Sequence, residues 1–154
     1  MKKALFIVTG ISILNLIFIS CASMMEMQSD MREITIVENN NLTKDEAFDK
    51  TMRWIASYYN SANNVIQLSD KENGTIIINA AHRVSRAGGL VSYPLSYTMT
   101  IDIKENRIRF KQRIGSPLDP EIGGVTRGDA EEMHIYFKDL RTSLLSQFEI
   151  DDDF

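Results

Sequence analysis

Four basic residues recur at every second position two-thirds of the way along the chain: Arg107, Arg109, Lys111 and Arg113. Ile108, Phe110, Gln112 and Ile114 alternate with them. A period of two is that of a β-strand, so the four basic ends share one face of a sheet. Such a row fits an anionic ligand, an acidic protein partner or lipid headgroups. It fits equally the solvated face of an open antiparallel sheet, which is polar by default. If Glu105 and Asn106 form a two-residue hairpin turn, Lys104 faces Arg107, Asp102 faces Arg109, Thr100 faces Lys111 and Thr98 faces Arg113. Asp102 then offsets one of the four charges.

The other residue with a distinct chemistry is Cys21, the single cysteine. Lys2 and Lys3 precede an apolar run from Ala4 to Ile19, broken only by Thr9, Gly10, Ser12 and Asn15. Ser20 and Ala22, both small, flank the cysteine. This is the layout of a bacterial lipoprotein signal peptide. Cleavage before Cys21 leaves it as an N-terminal residue carrying fatty-acyl chains on its sulfur. An ordinary secretory signal cut after Ser23 and an uncleaved membrane helix are the competing readings; the run is short for a span, which needs about 20 apolar residues. A lone cysteine in an exported chain forms no internal disulfide, so lipid attachment explains its place best. One acyl chain anchors only marginally, and stable attachment needs two signals. Ala22 is not the aspartate associated with retention in an inner membrane. The expected location is therefore the cell envelope, at the outer membrane where there are two.

Charge narrows the partners. The chain has 17 Lys and Arg against 21 Asp and Glu, a formal charge of −4. Loss of residues 1–20 removes two lysines and no acid, leaving 15 against 21 and a charge of −6. An acidic mature chain lacks the basic footprint that nucleic acid requires, so no nucleic-acid partner is expected.

Little else reads as a reactive site. The sequence has no HExxH, GxSxG or P-loop pattern. Its two histidines, His82 and His134, sit beside apolar stripes and are read as structural or surface residues rather than metal ligands. No catalytic residue, metal site or cofactor is expected. Asp151, Asp152 and Asp153 form an acidic tail, read as a solvated, frayed end.

Two helices and a set of strands must position these residues. Thr43 and Glu46 form a capping box. Phe48, Met52, Ile55 and Tyr59 follow at helical spacing, widened by Trp54 and Tyr58, so a helix is expected over 43–60. A second helix is expected over 128–149. Its acidic first turn contains Asp129, Glu131 and Glu132, and its apolar face is Met133, Tyr136, Phe137, Leu140, Leu144 and Phe148. Strands are expected at 34–37, 65–68, 75–84, 95–104 and 107–114. Residues 85–89 and 115–125 read as loops, and Gly74 closes a turn. The organisation is a signal peptide over 1–20, a lipidated cysteine and flexible tether over 21–33, one domain over 34–150, and the tail over 151–154.

This pattern resembles a bacterial domain of unknown function described as having a TATA-binding-protein-like (TBP-like) fold, frequent in signal-bearing envelope proteins. The resemblance is carried by Thr43 to Phe48, Trp54 to Tyr59, Asn64 to Asp70, Gly74 to Ile78 and Tyr97 to Phe110, and above all by the spacing of Trp54, Asp70 and Gly74. It implies an α+β fold of order β-α-β-β-β-β-α, with a curved antiparallel sheet and two helices on one face. It implies no catalytic residues, and a DNA-binding namesake does not make this chain a DNA binder. The expected function is a lipid-anchored, non-catalytic binding or interaction module of the bacterial envelope, with an envelope protein or anionic ligand as partner. The alternative is an envelope enzyme with an unrecognised site.

Overall fold

The structure is a computed structural model that describes residues 29–149. Cys21, the signal peptide and the acidic tail lie outside the described residues. Five strands, β1 (Glu33–Asn39), β2 (Ile66–Asp70), β3 (Thr75–Arg86), β4 (Val91–Lys104) and β5 (Arg107–Pro117), form one sheet. Their order is β1-β5-β4-β3-β2, and every neighbouring pair is antiparallel. Two long helices, α1 (Lys44–Tyr58) and α2 (Arg127–Phe148), cover one face of the sheet. A single helical turn, Ala62–Val65, leads into β2. The α+β class, the curved antiparallel sheet and the TBP-like arrangement expected from the sequence are all present.

Alternation decides which face is covered. On β4, Tyr93, Leu95, Tyr97, Met99, Ile101 and Ile103 are buried; on β5, Ile108, Phe110, Gln112 and Ile114 are. The helices supply Ala47, Phe48, Trp54 and Ile55 from α1 and Met133, Phe137, Leu140 and Leu144 from α2. Among the described residues the sheet has no other large apolar cover, so burying this face is what holds the helix layer and the sheet together. Both helices begin with a capping box. Thr43 Oγ1 accepts from Glu46 N–H and Thr126 Oγ1 from Asp129 N–H, while each acid reaches back to the cap. Two otherwise unpaired N–H groups are satisfied at each end.

Several expectations are corrected. The tether was expected to run through residue 33, but Ser29–Arg32 form a 3₁₀ turn and Glu33 already belongs to β1. Met31 packs against the core and its carbonyl meets His134 Nε2 at 3.0 Å, which gives this segment a reason to fold. The loop expected at 85–89 shrinks to Ala87–Gly89, because Arg86 at the end of β3 is held by α2. Likewise β5 continues through Pro117 into the expected 115–125 loop, stitched to β4 by Ser96, whose hydroxyl donates to Ser116 O and accepts Ser116 N–H. Tyr58 does not extend the buried stripe of α1. It is 42% exposed and stacks on Trp54.

Candidate anion-binding face

The basic row is built by the β4–β5 hairpin. Asn106 takes a positive φ of 56°, which Asn tolerates better than most residues, and the turn closes in two residues. Lys104 then pairs with Arg107, Asp102 with Arg109, Thr100 with Lys111 and Thr98 with Arg113. The register is the one the sequence predicts. All four basic residues are exposed, on the sheet face away from both helices.

Two of the four charges are offset, one more than expected. Arg109 Nε and Nη2 donate to Asp102 Oδ2 at 3.0 and 2.6 Å. Thr75 Oγ1 donates to the other oxygen, Asp102 Oδ1, at 3.1 Å. Lys111 Nζ lies 3.2 Å from Glu33 Oε1. Sequence reasoning missed Glu33 because it ended the tether at that residue; β1 then carries it beside β5, opposite Arg113 and diagonal to Lys111. Both pairs are substantially exposed and add little stability.

Arg107, Arg113 and Lys104 have no acid within ion-pair distance among the described residues. Lys104 and Arg107 sit directly across from one another at the hairpin end. With Val37, Asp102 and Arg109 they line a shallow depression on the open face. Val37 is 51% exposed there. Arg109 presents the guanidinium edge that Asp102 does not occupy. The depression therefore gathers the Lys104 ammonium and the Arg107 and Arg109 guanidiniums around Val37, with the one carboxylate in its lining, Asp102, already engaged by Arg109 and Thr75; this excess of cationic donors is the chemistry of a carboxylate or phosphate site.

A second polar cluster was not legible. Asp129 has a fully buried side chain, yet it is charged. Burial alone would raise its pKa; Arg86, donating through Nε and Nη2, the Thr126 N–H and the Thr126 hydroxyl outweigh that and hold the carboxyl down at about 2. Arg86 also donates to Ile122 O and Gly124 O, and its guanidinium lies 4.8 Å from the centre of the Tyr93 ring. The cluster ties the end of β3 to the loop before α2. The Arg86 and Asp129 bonds all close within the fold, so the pair is a structural clamp. The spacing of Thr126 and Asp129 was a visible capping signal, but nothing local pointed to Arg86.

A third cluster lies between the helices and the sheet. The Tyr97 hydroxyl meets those of Tyr59 at 2.8 Å and Tyr136 at 3.1 Å. Burial pushes the Tyr59 phenol up to about 12 and moves the other two upward as well. His82 stacks on Tyr136 with ring centres 3.7 Å apart, and burial lowers its pKa. Both histidines are thus placed where the sequence put them, at the margin of the core. Among the described residues no group of three or more His, Cys, Asp or Glu side chains converges as a metal site.

Comparison with known proteins agrees with this architecture. No curated protein matches the sequence. Among solved structures, the chain is similar to a TBP-like protein from Parabacteroides distasonis ATCC 8503, with 15% identity and a TM-score of 0.62 over 82% of this chain and 99% of that one. It is also similar to a DUF4468 family protein from Bacteroides ovatus ATCC 8483, with 13% identity and a TM-score of 0.59 over 84% of this chain and 93% of that one. At such identities the likeness is one of fold. Residues 34–113, more than half of the chain, from the second residue of β1 through the basic row, match the family described as "Domain of unknown function (DUF4468) with TBP-like fold", and the chain belongs to that family.

Proposed function

We propose that this protein is a lipid-anchored component of the bacterial cell envelope, attached through Cys21, and that its domain is a non-catalytic module binding an anionic partner on the open sheet face. The observation that carries the reading is the excess of positive charge on that face. Among the described residues Lys104, Arg107 and Arg113 stand there without acids, in a chain whose overall balance is negative. Like charges on neighbouring strands repel, and an added anion relieves that repulsion. The outward positions of β1, β4 and β5 carry no aromatic side chain, so bases have no stacking platform; this supports a partner other than nucleic acid. The anchor reading is supported by the signal layout and the single cysteine.

Fatty-acid labelling and crosslinking in intact cells test the two halves in turn. Fatty-acid labelling of the wild type and its loss in Cys21→Ser is the expected result for the anchor; equal labelling of both refutes it. For the face, the informative variant is Lys104→Gln with Arg107→Gln, because Arg109 and Lys111 already have acids. Loss of wild-type crosslinks, with an unchanged denaturation midpoint, is expected. Recovery of the same partners with the same salt dependence refutes the binding face.

A further inference from the structure

The basic row does not lie at the rim of the sheet. One strand, β1, lies outside it, and the outer side of β1 has no strand partner among the described residues. Asn40 N–H donates to Asn106 O at 3.0 Å, continuing the ladder in which Glu38 faces Ile108 and Ile36 faces Phe110. Even-numbered residues of β1 therefore turn their backbone groups toward β5. Glu33, Thr35, Val37 and Asn39 turn theirs outward, since hydrogen-bonding direction alternates along an antiparallel strand.

Among the described residues, this edge lacks the usual protection. Proteins blunt bare edges with proline, lysine, bulges or very short strands. β1 pairs over seven residues without a register shift, and Ile34, Thr35, Ile36 and Val37 are four β-branched residues in a row. The opposite edge is treated differently. β2 is five residues long and irregular between Ile66 and Leu68, and where β3 overhangs it the Ser85 N–H is taken by Glu132.

We infer that β1 accepts an added strand from a partner polypeptide whose alternate residues are acidic, so that its backbone pairs with Thr35 and Val37 while its carboxylates reach the basic row. This rests on the open-face reading above and names the partner's chemistry. A strand beside β1 lies two spacings, about 10 Å, from β5. Long Arg and Glu side chains span that gap jointly across the short Thr35 and Val37. The acids belong at the Asn39 end, across from Arg107, which has no acid partner among the described residues, and not beside Glu33. A second copy of this chain fits poorly: pairing β1 with β1 would set two basic rows three spacings apart, roughly 14 Å, with Glu33 as the main relief. A free phosphate or lipid headgroup would meet the charge and leave the edge unused.

The test measures binding of a blocked eight-residue peptide of alternating Glu and Val to the full chain. Three controls accompany it: Gln in place of every Glu, N-methylation at every Glu, and N-methylation at every Val. Residues of one kind point their N–H groups the same way in a strand, so strand addition predicts that one N-methylated peptide loses affinity about tenfold or more and the other keeps it. The Gln peptide should bind at least about tenfold more weakly, and the Glu peptide should weaken steeply as salt rises. Equal binding of both N-methylated peptides overturns strand addition and leaves the anionic face standing. Equal binding of the Gln peptide overturns the charge argument for both. No binding of the Glu–Val peptide, with retention of inorganic phosphate or anionic vesicles, also overturns the inference.

Discussion

Asp129→Asn removes the charge from the clamp between β3 and α2 while keeping its shape, and its cost follows from the geometry. The Asp129 side chain is 0% exposed and that of Arg86 is 25% exposed. Folding holds the carboxyl near 2, against an ordinary 3.8. That difference corresponds to roughly 2 kcal/mol of stability at neutral pH. Removing one partner of a fully buried pair costs about 3–5 kcal/mol. Arg86 keeps the carbonyls of Ile122 and Gly124 and some water, so the expected loss is lower, about 2–3 kcal/mol at pH 7. The pH dependence gives the sharper check. Because the folded-state pKa is depressed, the contribution is complete above about pH 4 and is lost as pH falls through 2. Urea unfolding of wild type and variant at several pH values should therefore show a gap that is constant from pH 7 to about pH 5 and shrinks toward pH 2. Other carboxylates titrate in both proteins and cancel in the difference. A gap under about 0.5 kcal/mol at pH 7, or one that does not change with pH, would refute the assignment of a charged, stabilising Asp129.

Four further outcomes follow from the core and its margins. Trp54 is 3% exposed and its Nε1 donates to Ser143 Oγ at 3.0 Å, so Trp54→Ala should lower the unfolding free energy by about 3–5 kcal/mol; an unchanged denaturation midpoint would contradict its burial. Tyr97→Phe leaves the Tyr59 and Tyr136 hydroxyls without their shared partner and should cost about 1–2 kcal/mol by the same measurement. In the wild type the raised phenol pKa values make stability fall only above about pH 10, with Tyr59 ionising near 12; ultraviolet titration showing all five tyrosines ionising at ordinary pH would be inconsistent with that cluster. Gly74 has φ +67° and an added Cβ would collide with Ile103 O, so Gly74→Ala should destabilise by more than about 1 kcal/mol, read from thermal unfolding.

The sequence carried the sheet and helices because those signals are local. The alternation of Leu95 to Lys104 and of Arg107 to Ile114 places each side chain on a face, and both covering helices show caps and apolar stripes. The hairpin register was legible for the same reason: a two-residue turn fixes every cross-strand pair that follows. The basic row, its exposure and its Asp102 partner are thus properties of one contiguous stretch.

The remaining features depend on elements distant in the chain. Glu33 reaches Lys111 only because β1, seventy-odd residues away, inserts beside β5. Arg86 lies in an apparent loop until Asp129 and two loop carbonyls draw it into β3. Tyr59, Tyr97 and Tyr136 share a hydroxyl chain that no spacing announces, since one comes from each of α1, β4 and α2. Met31 looked like tether until His134 met its carbonyl. By itself the sequence determined periodicity, face and the chemistry of each row, because these arise from backbone geometry within a few residues. Only the tertiary structure decided which charges are paired, which acid is buried and which edge the described strands leave unpaired, because electrostatic partnership and solvent exclusion depend on what packs alongside.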